Sequence, residues 1–198
     1  MLLDLSAPAQ NPLTPEERKT AADYLQWKCD LSWQNHDRFK AGDPRRPIPV
    51  FETPADASRY YFTDHGNPYT GDPLWGVVDF YTHPGRLQAA LDAGKEAVAR
   101  LFIDCDDVGL WYAWAIAKMP GYEAQIVTLI DHRVVGSHVV CLWRGHGRQG
   151  VVDTNGHRDL PDLTERTICD AFTAIYQPRG YVYRGACPSP TPWPENTP

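Results

Sequence analysis

The sequence has no run of lysine or arginine, and its 19 basic residues are outnumbered by 25 acidic ones, giving a formal net charge of -6. Without a basic patch it lacks the positive potential that phosphate backbones and anionic lipid surfaces select, so nucleic acid is not an expected partner. It also lacks any apolar run near the roughly 18–20 residues that span a bilayer, so no membrane association is expected. At the start, MLLDLSAPAQNPLTPEER places acids and prolines where a secretion signal has a basic region and an apolar core, and the expectation is a soluble cytoplasmic protein. Cysteine is scarce. Cys29, Cys105, Cys141, Cys169 and Cys187 are an odd number at scattered spacings with no CxxC pair, which argues against a disulfide framework and leaves reduced thiols. No internal repeat is visible, and no cofactor is expected.

What is present fits one domain over residues 1–186, followed by a proline-rich extended tail, CPSPTPWPENTP, over 187–198. A chain of 198 residues buries about two-thirds of its unfolded surface, enough for a self-sufficient core. Thr14, Pro15 and Glu17 form a capping-box signature that opens a helix expected from about Pro15 to Phe39. The Pro-, Gly- and aromatic-rich segment from Gly42 to Pro84 favours short strands or ordered loops over helices. GRLQAALDAGKEAVARLF is helical in composition, with Gly94 as a divider. AQIVTLI, HVVCLW and GVVDT are β-branched or aromatic strand candidates; TERTICDAFTAIY suggests a last helix and YVYRG a last strand. Helices first and sheet later is an α+β order.

The stretch LFIDCDDVGLWYAWAIAKM puts one thiol among three aspartates where a polar segment turns apolar. Asp104 suits a helix N-cap and Asp107 the third helical position, so Cys105 falls in the first turn. The positive helix end favours a thiolate while the neighbouring carboxylates oppose it. Ionisation of Cys105 therefore needs a further cation, and an imidazolium is the usual one. Among seven histidines, His138 differs in context, because it begins the strand HVVCLW after Gly136 and Ser137. Asp153 lies within the apolar strand GVVDT, where a carboxylate needs a partner. Side-chain alternation lets the two share a face only in certain hairpin registers. A two-residue turn at Gly145 and His146 pairs them directly, a four-residue loop from Gly145 to Arg148 makes them diagonal neighbours, and a five-residue loop turns Asp153 away.

These residues carry a resemblance. DCDD opening a buried helix, SHVVCLW on a strand and VVDTNG on the next resemble the Cys, His and Asp motifs of the transglutaminase-like superfamily, within the papain-like fold. Bacterial transglutaminase-like cysteine proteinases and their phage relatives are the nearest in pattern, over roughly Ile103 to Gly156. The resemblance implies a catalytic Cys at the N-terminus of a buried helix packed on an antiparallel sheet. It makes Cys105 the nucleophile, His138 the general base and acid, and Asp153 the group that orients the imidazole. The implied activity is a cysteine peptidase, amidase or deamidase acting on a protein or peptide through a thioester. For the oxyanion, the Cys105 N–H is one donor, and Trp75 and Gln88 are candidates for the second. Ser137 and Asn155 flank the catalytic strands and are placed to hydrogen-bond the triad from behind. The secretion signal of exported members has no counterpart here, and Gly42 to Pro84 matches no motif.

Two rival readings stand beside this one. His132, His138, Cys141 and His146 are metal-ligand types without paired ligand spacing, and Cys141 points opposite to His138 in a regular strand, so no metal is expected. The other rival is an inactive scaffold of the same fold, a binding or structural subunit in a homo-oligomer or a larger assembly such as a virus particle, which the acid-rich thiol and the proline-rich tail suit.

Overall fold

A computed structural model describes residues 11–38, 45–70, 82–101, 103–131 and 138–183, with the side chains of 29–38 and 183 outside that description. The proline-rich tail over 187–198, Trp75, His132, Ser137 and Cys187 lie outside the described residues, as does the side chain of Cys29.

Helix α1 (Pro15–Arg38) begins where its capping box directs. The Thr14 N–H donates to Glu17 Oε2 at 2.9 Å and the Glu17 N–H to Thr14 Oγ1 at 3.2 Å, satisfying two helix-end groups reciprocally. Within the segment expected to avoid helix, the chain instead forms α2 (Pro54–Arg59), continued by a π-helical turn over Tyr60–Asp64. Local capping overrode composition here: Thr53 and Asp56 form a second capping box and Pro54 takes the first turn. Gly94, at φ 98°, divides α3 (Pro84–Ala93) from α4 (Lys95–Val98). Helix α5 (Cys105–Ile116) is buried over nearly all of its surface.

The sheet is antiparallel throughout, in the order β4-β3-β2-β1-β5. Its strands are β1 (Tyr122–Ile130), β2 (His138–Gly145), β3 (Arg148–Asp153), β4 (Gly156–Asp159) and β5 (Gly180–Tyr183). The architecture is thus mixed helix and antiparallel sheet, as the order of elements implied; β4 carries no apolar run and was not foreseen. Alternation sorts the strands onto two cores. Ile126, Val139, Cys141, Trp143 and Val152 face α5, while Val127, Val140, Leu142 and Val151 face α6 (Glu165–Tyr176) through Ile168 and Phe172. No helix of the described residues is long and apolar enough to cross a membrane.

Candidate active site

The site begins at the N-terminus of α5. Asp104 caps it: the Asp106 N–H donates to Asp104 Oδ1 at 3.0 Å, and the Asp104 N–H donates to Asp107 Oδ2 at 3.2 Å. Cys105 follows as the first helical residue, half-buried. The three carboxyl groups are not equivalent to three full charges beside the thiol. Burial pushes the Asp104 carboxyl up, aided by the charge of Asp106 and a hydrogen bond to its side chain, which favours its neutral acid form. Asp107 is committed to backbone amides, since its Oδ1 also accepts the Thr82 N–H. Among the described residues, these three aspartates are the one acidic or thiol–imidazole group compact enough to hold a cation, with ligand atoms within 4.8 Å of one another. A neutral Asp104 and amide-bound Asp107 make them a helix cap first.

Strands β2 and β3 supply the second part. The hairpin pairs Cys141 with Val152 and Gly145 with Arg148, leaving a turn at His146 and Gly147 with both φ values positive, 52° and 72°. That is the mirror-image turn whose twist matches a hairpin. Of the three registers, this is the diagonal one. Asp153 stands opposite Val140, so His138 and Asp153 share a face two positions apart. His138 Nε2 lies 2.6 Å from Asp153 Oδ2, with side-chain exposures of 3% and 0%. A carboxylate only accepts, so Nε2 carries a proton, which leaves Nδ1 as the ring nitrogen that can exchange one.

Asp153 has further partners. The Asn155 N–H donates to its Oδ1 at 3.0 Å and Asn155 Nδ2 to its Oδ2 at 2.8 Å. The Arg158 guanidinium stands 3.8 Å from Oδ1, held by a 2.6 Å bond to the Ala171 carbonyl and by the Phe172 ring 4.3 Å below. The His138 ring stacks on Tyr176, centroids 4.1 Å apart and planes within 12°. These rings cover the imidazole–carboxylate bond from solvent, and a hydrogen bond in a low-dielectric setting is electrostatically stronger.

His138, Asp153 and Asn155 are joined directly, and Tyr176, stacked on His138, lies within electrostatic reach of Cys105. Val139 packs against α5 at Gly109, where an added Cβ would meet Val139 Cγ1 at 3.0 Å, so its neighbour His138 points to the α6 face. The Tyr176 phenol is raised first by burial and also by the charges of Asp153 and Cys105, which places it within electrostatic reach of both. The Tyr69 phenol, raised first by burial and then by the charge of Cys105, also lies within electrostatic reach of the thiol.

Gln88 requires a correction as an oxyanion donor. It is buried on α3, its amide nitrogen donates to Tyr60 Oη and Asp92 Oδ1, both at 2.8 Å, and its Oε1 accepts from Trp111 Nε1 at 3.1 Å. Both N–H groups are already engaged by these side chains. Trp75 and Ser137 lie outside the described residues. Of the alternative metal set, His132 lies outside the described residues and the other three are apart: Cys141 faces α5 while His138 faces α6, and His146 Nε2 meets the Pro120 carbonyl at the hairpin turn. Sequence reasoning missed Tyr176 and Arg158. Phe172 and Tyr176 do form an i, i+4 aromatic pair on α6, a detectable signal, but nothing local ties that pair to His138.

Comparison with protein-family models, with curated proteins and with solved structures finds no match to this chain.

Proposed function

We propose that the protein is a cysteine hydrolase of the transglutaminase-like type, built on a papain-like core and acting on peptide or side-chain amides through Cys105, His138 and Asp153. The observation that carries the reading is the 2.6 Å contact between His138 and a fully buried Asp153, made on strands adjacent to a helix that presents a thiol at its capped end. Burying an imidazole and a carboxylate costs free energy unless each is well partnered, as these two are.

The chemistry follows from the groups. His138 Nδ1 takes the Cys105 proton, and the thiolate adds to the amide carbonyl carbon. The tetrahedral oxyanion is met by the Cys105 N–H at the start of α5. His138 then protonates the leaving nitrogen, the C–N bond breaks and a thioester remains. Water, deprotonated by His138, attacks the thioester; the C–S bond breaks and the thiolate leaves with an acid as product. An amine in place of water gives cross-linking from the same intermediate.

One observation favours a second reading. His138 faces α6 while α5 packs on the opposite side of the sheet, and aspartates crowd Cys105, an arrangement that a structural or binding subunit of the same fold, as in a virus particle, also permits. Site-resolved alkylation by iodoacetamide at pH 6 separates the two. Cys169 serves as the internal reference, since burial pushes its thiol up to about 12. The hydrolase reading requires Cys105 to react far faster than Cys169 and to lose about tenfold or more in His138→Ala, the effect of one pKa unit in thiolate fraction or greater. Equal reactivity of the two thiols supports the structural subunit.

A further inference from the structure

Arg158 stands on the edge strand β4 opposite Val151, on the sheet face that packs on α6. Two contacts hold its guanidinium in place: Nη1 donates to the Ala171 carbonyl at 2.6 Å, and Cζ lies 4.3 Å from the centre of the Phe172 ring. Nη2 then comes 3.8 Å from Asp153 Oδ1, within ion-pair range but too long for a hydrogen bond. The hydrogen bonds that orient the carboxylate come instead from Asn155 and His138. Arg158 therefore acts on Asp153 by its charge.

The charge around the imidazole follows from the elements that face it. Strand β2 contributes His138 itself, β3 the Asp153 carboxylate and β4 the Arg158 guanidinium, while Leu129 of β1, paired with His138, is apolar. Helix α6 brings Phe172 and the Tyr176 phenol, and α5 brings the Tyr112 phenol; both phenols are raised first by burial and further by the charge of Asp153, so both stay neutral. Asp153 and Arg158 are the permanent charges of this set, and they cancel while His138 is neutral. An imidazolium leaves one uncompensated positive charge on a buried ring, which is costly. A Cys105 thiolate offsets that charge; a thioester at Cys105 does not.

Resting on the hydrolase reading above, we propose that Arg158 is a positioning residue of the reaction: its charge offsets that of Asp153, so that His138 holds a second proton only while Cys105 is a thiolate. The need is greatest at the thioester. The sulfur is then uncharged, and His138 must have Nδ1 free to take a proton from water. Asp153 alone biases the ring toward the imidazolium, since an opposite charge in contact shifts an ionisation toward the charged form by roughly one to three pKa units. An imidazolium has no lone pair to offer, and the thioester would persist. The Arg158 charge opposes that bias and returns the base to its neutral form. Arg158 acts through Asp153 and His138 and touches no reacting atom.

The test reads the His138 ring by nitrogen-15 NMR at pH 7 in full-length Cys105→Ser, where the hydroxyl, like the thioester, brings no negative charge. In that background Nδ1 is expected to be unprotonated in most molecules. Adding Arg158→Gln should raise the ratio of doubly to singly protonated imidazole about tenfold or more, the effect of one pKa unit or greater. Arg158→Lys keeps the charge without the planar fork and is expected to hold the ratio of the Cys105→Ser parent. If the glutamine variant does not fold, Arg158→citrulline removes the charge and keeps the shape, with the same expectation. An unchanged ratio in the uncharged variant, or a lysine variant that behaves like the glutamine one, overturns the role. No reaction at Cys105 is measured, so slow alkylation of that thiol counts against the hydrolase reading and leaves this result standing.

Discussion

Asp104 binds its proton more tightly in the folded chain than in the unfolded one. Its carboxyl is pushed up by burial and then by Asp106, so above about pH 4, where an unfolded aspartate ionises, the native state binds more protons than the unfolded one. A group raised in this way stabilises the fold below the unfolded pKa, and that contribution fades as pH rises. Asparagine keeps the capping oxygen and removes the titration. Asp104→Asn is therefore expected to be more stable than wild type at pH 7, with the difference shrinking as pH approaches 4; urea midpoints at several pH values check this. A constant difference would contradict a neutral Asp104. The roles of Asp104 and Asp107 as cap residues were legible in the sequence, because a cap is set by residues three apart. The fate of Gln88 was not, because Tyr60 and Trp111, which consume its amide, are 28 and 23 positions away.

At the scale of elements, the site depends on how closely α5 approaches β2. Gly109 allows that approach, and its contact Val139 is the residue after His138. Gly109→Ala adds helix propensity of up to about 1 kcal/mol but forces a methyl group within 3.0 Å of Val139 Cγ1. Overpacking of a buried contact costs about 1–3 kcal/mol, so the variant is expected to be no more stable than wild type and to lose Cys105 reactivity as the helix shifts. Adding Val139→Ala should restore alkylation in the double variant, a non-additivity expected of contacting residues. Full reactivity in Gly109→Ala would show that the spacing does not matter. Strands β1, β2 and β3 and helices α1 and α6 were legible from β-branched runs and cap residues. Helix α2 was obscured by its proline- and glycine-rich surroundings although Thr53, Pro54 and Asp56 marked its start. The hairpin register was open in the sequence, since a period of two fits several turns equally; the left-handed pair His146 and Gly147 decides it.

On the scale of the whole molecule, the sheet separates a core packed on α5 from one packed on α6. The α6 layer supplies Phe172 and Tyr176 to hold the His138 ring, and the α5 layer supplies the thiol. Neither layer holds the whole proposed triad. Its function therefore rests on both layers staying in register, a property no local motif encodes. The central claim is a thiolate–imidazolium pair formed across that boundary. Nitrogen-15 NMR of the His138 ring, in wild type and Cys105→Ser at pH 7, measures it directly. The account predicts protons on both ring nitrogens in wild type and on Nε2 only in Cys105→Ser, where no thiolate remains to hold the cation. The same neutral imidazole in both proteins would contradict it.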